Sequence, residues 1–189
     1  MDGRRQWRSR SRETRERTMS SEASTTERVI VPAKLTEAGW SPFGWLPVAD
    51  VDPRDGKETM TFEWADAHVN LIGHTLTEVP ETPTGLRCDM LFRHDTHTQA
   101  LMPLNVPAVI VVAPAAVEFA DEQEATTIRA FRIEPLESLV LHQGTWHWGP
   151  FPIEGPEVRL FNVQGLRYAE DNRCVDLAGK GLAVEVDLT

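Results

Sequence analysis

From Thr59 to the end of the chain, short apolar runs recur at intervals of about ten residues, separated by Gly, Pro, Asn and Asp. Runs of this length and spacing are typical of a β-sandwich or β-barrel. We predict about nine strands, at 59–64, 69–76, 87–93, 99–104, 108–112, 127–133, 138–142, 158–165 and 182–188. The fold class is therefore all-β.

The alternation within the runs also predicts which side chains share a face. Met60, Phe62 and Trp64 form one apolar face, and Cys88, Met90 and Phe92 form another. The run at 108–112 is apolar on both faces, which predicts a strand buried on both sides. A short helical turn is predicted over Thr36–Trp40, with Thr36 as N-cap and Gly39 as its end. Asp52–Gly56 is a predicted turn.

The first part of the chain has a different composition. Residues 1–27 are polar and rich in Arg, Ser and Thr, without apolar periodicity, so we expect a disordered arm before one domain at 28–189. Residues 1–18 carry a net charge of +4 against −10 for the whole chain, so the remainder carries −14. A body this acidic argues against nucleic acid as a partner.

Neither the cysteines nor the hydropathy suggest export or membrane insertion. Cys88 and Cys174 form neither a metal pair nor a disulfide framework, and this fits a reduced, cytoplasmic setting. No run approaches ~18 uninterrupted apolar residues, so no membrane partner is expected.

Four of the six histidines lie in two short segments, as His94 and His97 and as His142 and His147. Imidazole ligates metals and transfers protons near neutral pH. His94 and His97 would lie on opposite faces of a regular strand, so they converge only if Asp95-Thr96 forms a bend.

Two interpretations of these histidines remain open. His94, His97 and His147, with Gln99 as a weaker ligand, would suit a divalent metal such as Ni, Mn, Zn or Fe. Alternatively, they hydrogen-bond around a metal-free pocket. His142 and His147 could also serve as acid and base.

Candidate groups for binding a small carboxylate lie beside the histidines. A guanidinium binds a carboxylate through two parallel hydrogen bonds, and Arg93 and Arg129 are candidates for this role. Gln99 and Trp146 are further candidates for lining the pocket. The sequence has no phosphate-binding glycine loop, nucleophile elbow or zinc-finger spacing, which argues against several large enzyme classes.

The histidine segments resemble the two motifs of the cupin barrels. Gly144 and His147 match the Pro-x-Gly-x-x-His turn of the second motif, and His142 occupies the proline position. The stretch from Arg93 to Leu104 is similar to the first motif, with His94-x-x-His97 in place of His-x-His. The resemblance implies a cupin-type β-barrel, or double-stranded β-helix.

The chain is more closely similar to the ureidoglycolate lyase family, a branch of the cupins. The similarity covers residues of about 28–188 and is carried by Arg93-His94, Thr98-Gln99-Ala100, Pro103, Arg129-Ala130-Phe131, His142, Trp146-His147, Asp171-Asn172 and Cys174-Val175-Asp176. Three departures remove charged residues. Phe92 replaces a common acidic residue, Asn105 replaces a lysine, and Val163-Gln164-Gly165 replaces Asp-Arg-Gly.

The resemblance implies a homodimeric cytoplasmic carbon–nitrogen lyase that cleaves ureidoglycolate, or a related carbinolamide acid, to glyoxylate and urea. In this interpretation His94 and His147 ligate a metal or activate the hydroxyl, His142 transfers a proton, and Arg93 or Arg129 holds the carboxylate. The alternatives are another cupin enzyme, an isomerase or dioxygenase, and a non-catalytic cupin that binds small acids.

Overall fold

A computed structural model describes residues 28–49 and 58–189, and these residues confirm the all-β prediction. The predicted arm at 1–27 and the predicted turn at 52–56 lie outside the described residues. The strands are β1 (Arg28–Ile30), β2 (Ala33–Lys34), β3 (Gly44–Trp45), β4 (Ala67–Thr75), β5 (Gly85–Cys88), β6 (Met90–His94), β7 (Gln99–Pro103), β8 (Ala108–Ala113), β9 (Arg129–Ile133), β10 (Leu139–Leu141), β11 (Trp146–Pro152), β12 (Glu157–Gly165), β13 (Asn172–Asp176) and β14 (Val184–Asp187).

The helical elements are short. They are α1 (Glu37–Trp40), α2 (Glu122–Ala125) and a 3-10 turn at Leu76–Glu78. The predicted helical turn is confirmed, because the Thr36 hydroxyl accepts a hydrogen bond from the Gly39 N–H at 3.2 Å and caps α1. The helix continues one residue past Gly39 and ends at Trp40. Within the described residues, no helix is long and apolar enough to cross a bilayer.

The strands form three sheets. Their orders are β3-β10-β7-β12-β4, β13-β6-β11-β8-β9-β2 and β1-β14-β5. The five-stranded and six-stranded sheets face each other, and the three-stranded sheet covers the other side of the six-stranded sheet. Facing sheets fit the jelly-roll form of a cupin, whereas the sheet orders of the described residues do not show the closure of the predicted β-barrel.

Two apolar cores fill the spaces between these layers, and β8 contributes to both. Its Ile110 and Val112 face the five-stranded sheet, whereas Val109 and Val111 face the three-stranded sheet. All six residues of β8 are buried, as the uninterrupted apolar run predicted.

Two predicted strand patterns are wrong. The segment 59–64 forms no strand, because Phe62 makes one isolated bridge to His97 and the chain then turns. The predicted strand at 87–93 is broken at Asp89, where the chain passes from the three-stranded to the six-stranded sheet. The break changes the alternation, so Cys88 is buried whereas Met90 is exposed.

Candidate active site

The structure brings His94 and His97 together, although their odd spacing would separate them in a regular strand. β6 ends at His94, and Asp95 and Thr96 form a bend that returns His97 beside it. The two rings stack with centroids 4.6 Å apart and planes 21° apart. Phe62 stacks on His97 at 6.4 Å, so an apolar ring supports the pair.

Asp171 holds this bend in place from the connection between β12 and β13. Its carboxylate accepts hydrogen bonds from the backbone N–H groups of Asp95 (3.2 Å) and Thr96 (2.9 Å) and from the Thr96 hydroxyl (2.6 Å). One carboxylate oxygen lies 3.5 Å from His97 Nδ1. Backbone and hydroxyl donors favour the ionised carboxylate, and the pKa of Asp171 lies below its usual value although partial burial opposes that direction.

His147 approaches the pair from the neighbouring strand β11. Its ring centroid lies 5.4 Å from that of His94. Its Nδ1 donates to the Thr145 carbonyl oxygen at 3.1 Å, so the lone pair of the neutral ring is on Nε2. The turn before β11 depends on Gly144, which has φ of +75° and donates its N–H to the His94 carbonyl oxygen at 2.7 Å.

Burial keeps these imidazoles neutral at neutral pH. Desolvation, followed by the neighbouring histidines, lowers the pKa of His94 to about 3. Desolvation likewise lowers the pKa of His147 to about 4, and it lowers the pKa of His97. Neutral rings offer lone pairs that can accept a proton or bind a metal.

Two of the clustered histidines, His94 and His147, line a cavity of about 620 Å³ whose wall includes residues from all three sheets. Its apolar wall includes Ile72, Phe92, Trp148 and Phe151. Its polar groups are His74, Glu78, Arg87, Asp89, His94, Gln99, His147, Gln164, Tyr168 and Asn172. A cavity that combines an apolar wall with convergent polar groups is typical of a small-molecule site.

Three buried polar atoms in this region lack a hydrogen-bond partner. They are His94 Nδ1, His97 Nε2 and Gln99 Oε1. Leaving a buried polar atom unpaired costs about 1–3 kcal/mol, so these atoms are suited to receive a ligand. Ligand atoms of His94, His97 and Asp171 also lie within 4.8 Å of one another, close enough to hold one metal ion.

Several predicted site residues do not reach the cavity. Arg93 and Trp146 each precede a cavity histidine by one residue and therefore point to the opposite face of the sheet. There the Arg93 guanidinium lies 4.5 Å from the Trp146 ring and pairs with Asp95 (3.0 Å) and Glu118 (3.3 Å). Arg129 is exposed and donates to backbone carbonyls of its own segment.

His142 has an intermediate position. It is half-buried, its ring lies 5.4 Å from that of Trp45, and it is absent from the main cavity wall. It borders a narrow crevice shared with His94, His97, Gln99 and His147. The structure therefore places His142 next to the three clustered histidines but outside the wall of the main cavity.

The sequence interpretation missed Arg87, His74, Gln164 and Asp171. Gln164 had a detectable signal, since Asn162 and Gln164 are polar residues on the inward face of a strand whose earlier inward residues are Val158 and Leu160. Arg87 had none, and Asp171 appeared only as part of the family resemblance, because the positions of both depend on how distant segments pack. Two of the three charge-removing departures, Phe92 and Gln164, line the cavity.

Gly165 leaves room for the His97 ring. A Cβ at this position would lie 2.8 Å from His97 Nδ1 and 3.0 Å from its Cγ, closer than real Cβ contacts allow. The last residue of β12 thus limits where the imidazole can lie.

Comparison with known protein families gives one match. The family model described as ureidoglycolate lyase matches residues 27–181, which include every residue of the cavity wall. No curated protein matches the chain.

Proposed function

The chain belongs to the ureidoglycolate lyase family, a family of carbon–nitrogen lyases, and we propose that its active site is the cavity bordered by His94, Gln99 and His147. The reaction is the cleavage of ureidoglycolate to glyoxylate and urea. The observation that carries the assignment of the site is the convergence of His94, His97 and His147, with ring centroids 4.6 and 5.4 Å apart.

The reaction moves one proton from oxygen to nitrogen. The hydroxyl of the carbinolamide loses its proton, its oxygen forms the glyoxylate carbonyl, and the C–N bonding electrons leave with the urea nitrogen, which takes up a proton. His147 Nε2 is suited to both transfers, because its ring is neutral and held through Nδ1. Its lowered pKa makes the imidazolium a stronger acid and the neutral imidazole a weaker base, so the shift favours the second transfer over the first.

We propose His94 and His97 as ligands of a divalent metal, with Asp171 beside them. The unpartnered His94 Nδ1 and His97 Nε2 fit this role, because they are buried lone-pair donors in one place. A bound metal would polarise the substrate hydroxyl and lower its pKa. Asp171 lies beside His97 Nδ1, the position of a carboxylate that orients a ligating imidazole.

Arg87 is our candidate for the substrate carboxylate. Among the described residues it is the one arginine in the cavity wall, whereas Arg93 and Arg129 lie elsewhere. Its Nε pairs with Asp89 at 2.6 Å, which fixes the direction of the guanidinium. A guanidinium is the side chain whose planar geometry suits a carboxylate.

The assignment is tested by glyoxylate release from ureidoglycolate, with His142→Ala, His147→Ala and His68→Ala compared. His68 is the matched control, because it is half-buried but absent from the cavity wall. We expect His147→Ala to lower kcat about 10²–10⁴-fold and His142→Ala to have a smaller effect. Full turnover by His147→Ala would overturn its role, and no release by the wild type would overturn the activity.

We also propose that the protein is a homodimer. The outer face of the five-stranded sheet exposes Val69 (59%), Leu71 (68%) and Phe161 (38%), and Leu71 and Phe161 are direct cross-strand neighbours. A contiguous exposed apolar face usually marks an interface. Light scattering should give a dimer for the wild type and a monomer for Leu71→Glu, with Val48→Glu as an exposed apolar control.

Two further points complete the proposal. Residues 28–189 form the catalytic domain with 1–27 as an arm outside it, which is supported by the start of the family match at residue 27. A cytoplasmic location is supported by the free thiols of Cys88 and Cys174, of which the second is exposed.

A further inference from the structure

A chain of amide side chains lies beside the histidines. Gln99 Nε2 donates to Asn162 Oδ1 at 2.9 Å and to Gln164 Oε1 at 3.2 Å, and Asn162 Nδ2 donates to Asn70 Oδ1 at 2.7 Å. In this arrangement the Gln99 amide nitrogen is used within the network and its oxygen is not.

This network leaves one acceptor and one donor unused. Gln99 is only 6% exposed, and its Oε1 is buried without a hydrogen-bond partner. Gln164 is 5% exposed, and its Nε2 makes no hydrogen bond to the described residues. Both side chains belong to the cavity wall. The free acceptor of Gln99 and the free donor of Gln164 together complement the N–H and the carbonyl oxygen of a third amide group.

We propose that Gln99 and Gln164 bind the ureido end of the substrate, an inference that rests on the proposed function. A terminal N–H of the ureido group donates to Gln99 Oε1, and its carbonyl oxygen accepts from Gln164 Nε2. These contacts place the ureido group at the amide network and leave the carboxylate for Arg87.

The pairing of one acceptor with one donor favours the ureido end over the carboxylate end of the substrate. A carboxylate offers only acceptors and leaves the acceptor of the pair unsatisfied, whereas a ureido group offers both an N–H and a carbonyl oxygen. A buried acceptor also discriminates against a ligand that lacks the donor, since the acceptor then stays unpaired at a cost of about 1–3 kcal/mol.

The test is calorimetric binding of two ligands that cannot be cleaved. N-carbamoylglycine keeps the terminal –NH2 of the ureido group, and N-acetylglycine carries a methyl group of similar size in its place. We expect the wild type to bind N-carbamoylglycine about tenfold more tightly. In Gln99→Met this preference should fall to about one, because the acceptor is gone while the affinity for N-acetylglycine is kept.

Gln123→Met on the exposed α2 is the matched control and should keep the wild-type preference. Equal binding of the two ligands by the wild type would overturn the inference, whether or not the variants fold. An unchanged preference in both Gln99→Met and Gln164→Met would also overturn it.

Glyoxylate release distinguishes this inference from the proposed function. Lyase activity without a binding preference would refute only the amide assignment. A binding preference without lyase activity would support recognition of a ureido acid and refute the reaction.

Discussion

The space between the two larger sheets has an apolar end and a polar end, built on the same strands. On β7 the inward residue Gln99 is followed two positions later by Leu101, and on β12 Leu160 is followed by Asn162 and Gln164. Every one of these residues is buried. The difference teaches that a few polar residues on inward positions convert part of a core into a site, without a change of backbone.

The two ends are stabilised differently. The apolar end gains from the area that it removes from water, which does not depend on pH. The polar end gains little, because its imidazoles and amides lose hydration and leave three atoms unpaired. We therefore expect stability to depend mainly on the apolar end and activity mainly on the polar end.

The largest expected effect on stability is at the apolar end. Leu160→Ala removes a side chain that is fully buried and should lower the free energy of unfolding by about 2–5 kcal/mol. Leu71→Ala, on the exposed face of the neighbouring strand, is the matched control for urea unfolding, compared within one oligomeric state. A loss below ~1 kcal/mol would contradict the assignment of this end as the main core.

A pH titration probes the polar end. The pKa values of His94 (about 3) and His147 (about 4) lie below the usual 6.5, so between pH 6.5 and 4 the unfolded chain binds protons that the folded chain does not. Stability should be present above pH 6.5 and decrease as the pH falls, by up to about 1.4 kcal/mol per pH unit for each histidine.

The matched measurement is the same titration with His147→Gln. This variant should show a shallower fall over that range, because one proton-linked group is removed. An identical slope would show that His147 does not remain neutral in the folded protein.

Asp171→Ala tests whether the Asp171 carboxylate holds the bend at Asp95 and Thr96 and thereby positions His97. The variant leaves the N–H groups of Asp95 and Thr96 without their acceptor and should cost about 1–3 kcal/mol of stability. Activity should fall mainly in kcat, because His97 loses its fixed position. Asp187→Ala, at the end of β14, is the control, and equal kcat values for the two variants would contradict the role of Asp171 in positioning His97.

The smallest expected effect concerns the N-terminal segment. Deletion of residues 1–18 should leave the melting temperature and kcat within error of the full chain, because the family match begins at residue 27. Scanning calorimetry and the glyoxylate assay measure both, and a large fall in melting temperature would contradict the domain assignment.

The sequence predicted the parts of the fold that depend on local pattern. The apolar run of β8, the strand β12 and the cap at Thr36 each follow from neighbouring residues. The strand predicted at 59–64 is absent for a physical reason. Alternation favours an extended segment, but a strand also needs a neighbouring strand to pair with, and in this segment only Phe62 forms a bridge.

The sequence predicted which segments form the candidate site but not which of their side chains point into the cavity. The two histidine segments were visible, whereas the bend that unites His94 and His97 requires Asp171, which lies 74 residues beyond His97 in the chain. One position decides whether a side chain enters the cavity, and this is why Arg93 and Trp146 point away while their neighbours point in.

Because Gly165 has no side chain, the position of the His97 ring is open to adjustment by protein engineering. The methyl group of Gly165→Ala would push the ring by tenths of an ångström and leave its hydrogen-bonding capacity intact. The change in rate would then measure how strongly catalysis depends on the position of the ring, separately from its chemical identity.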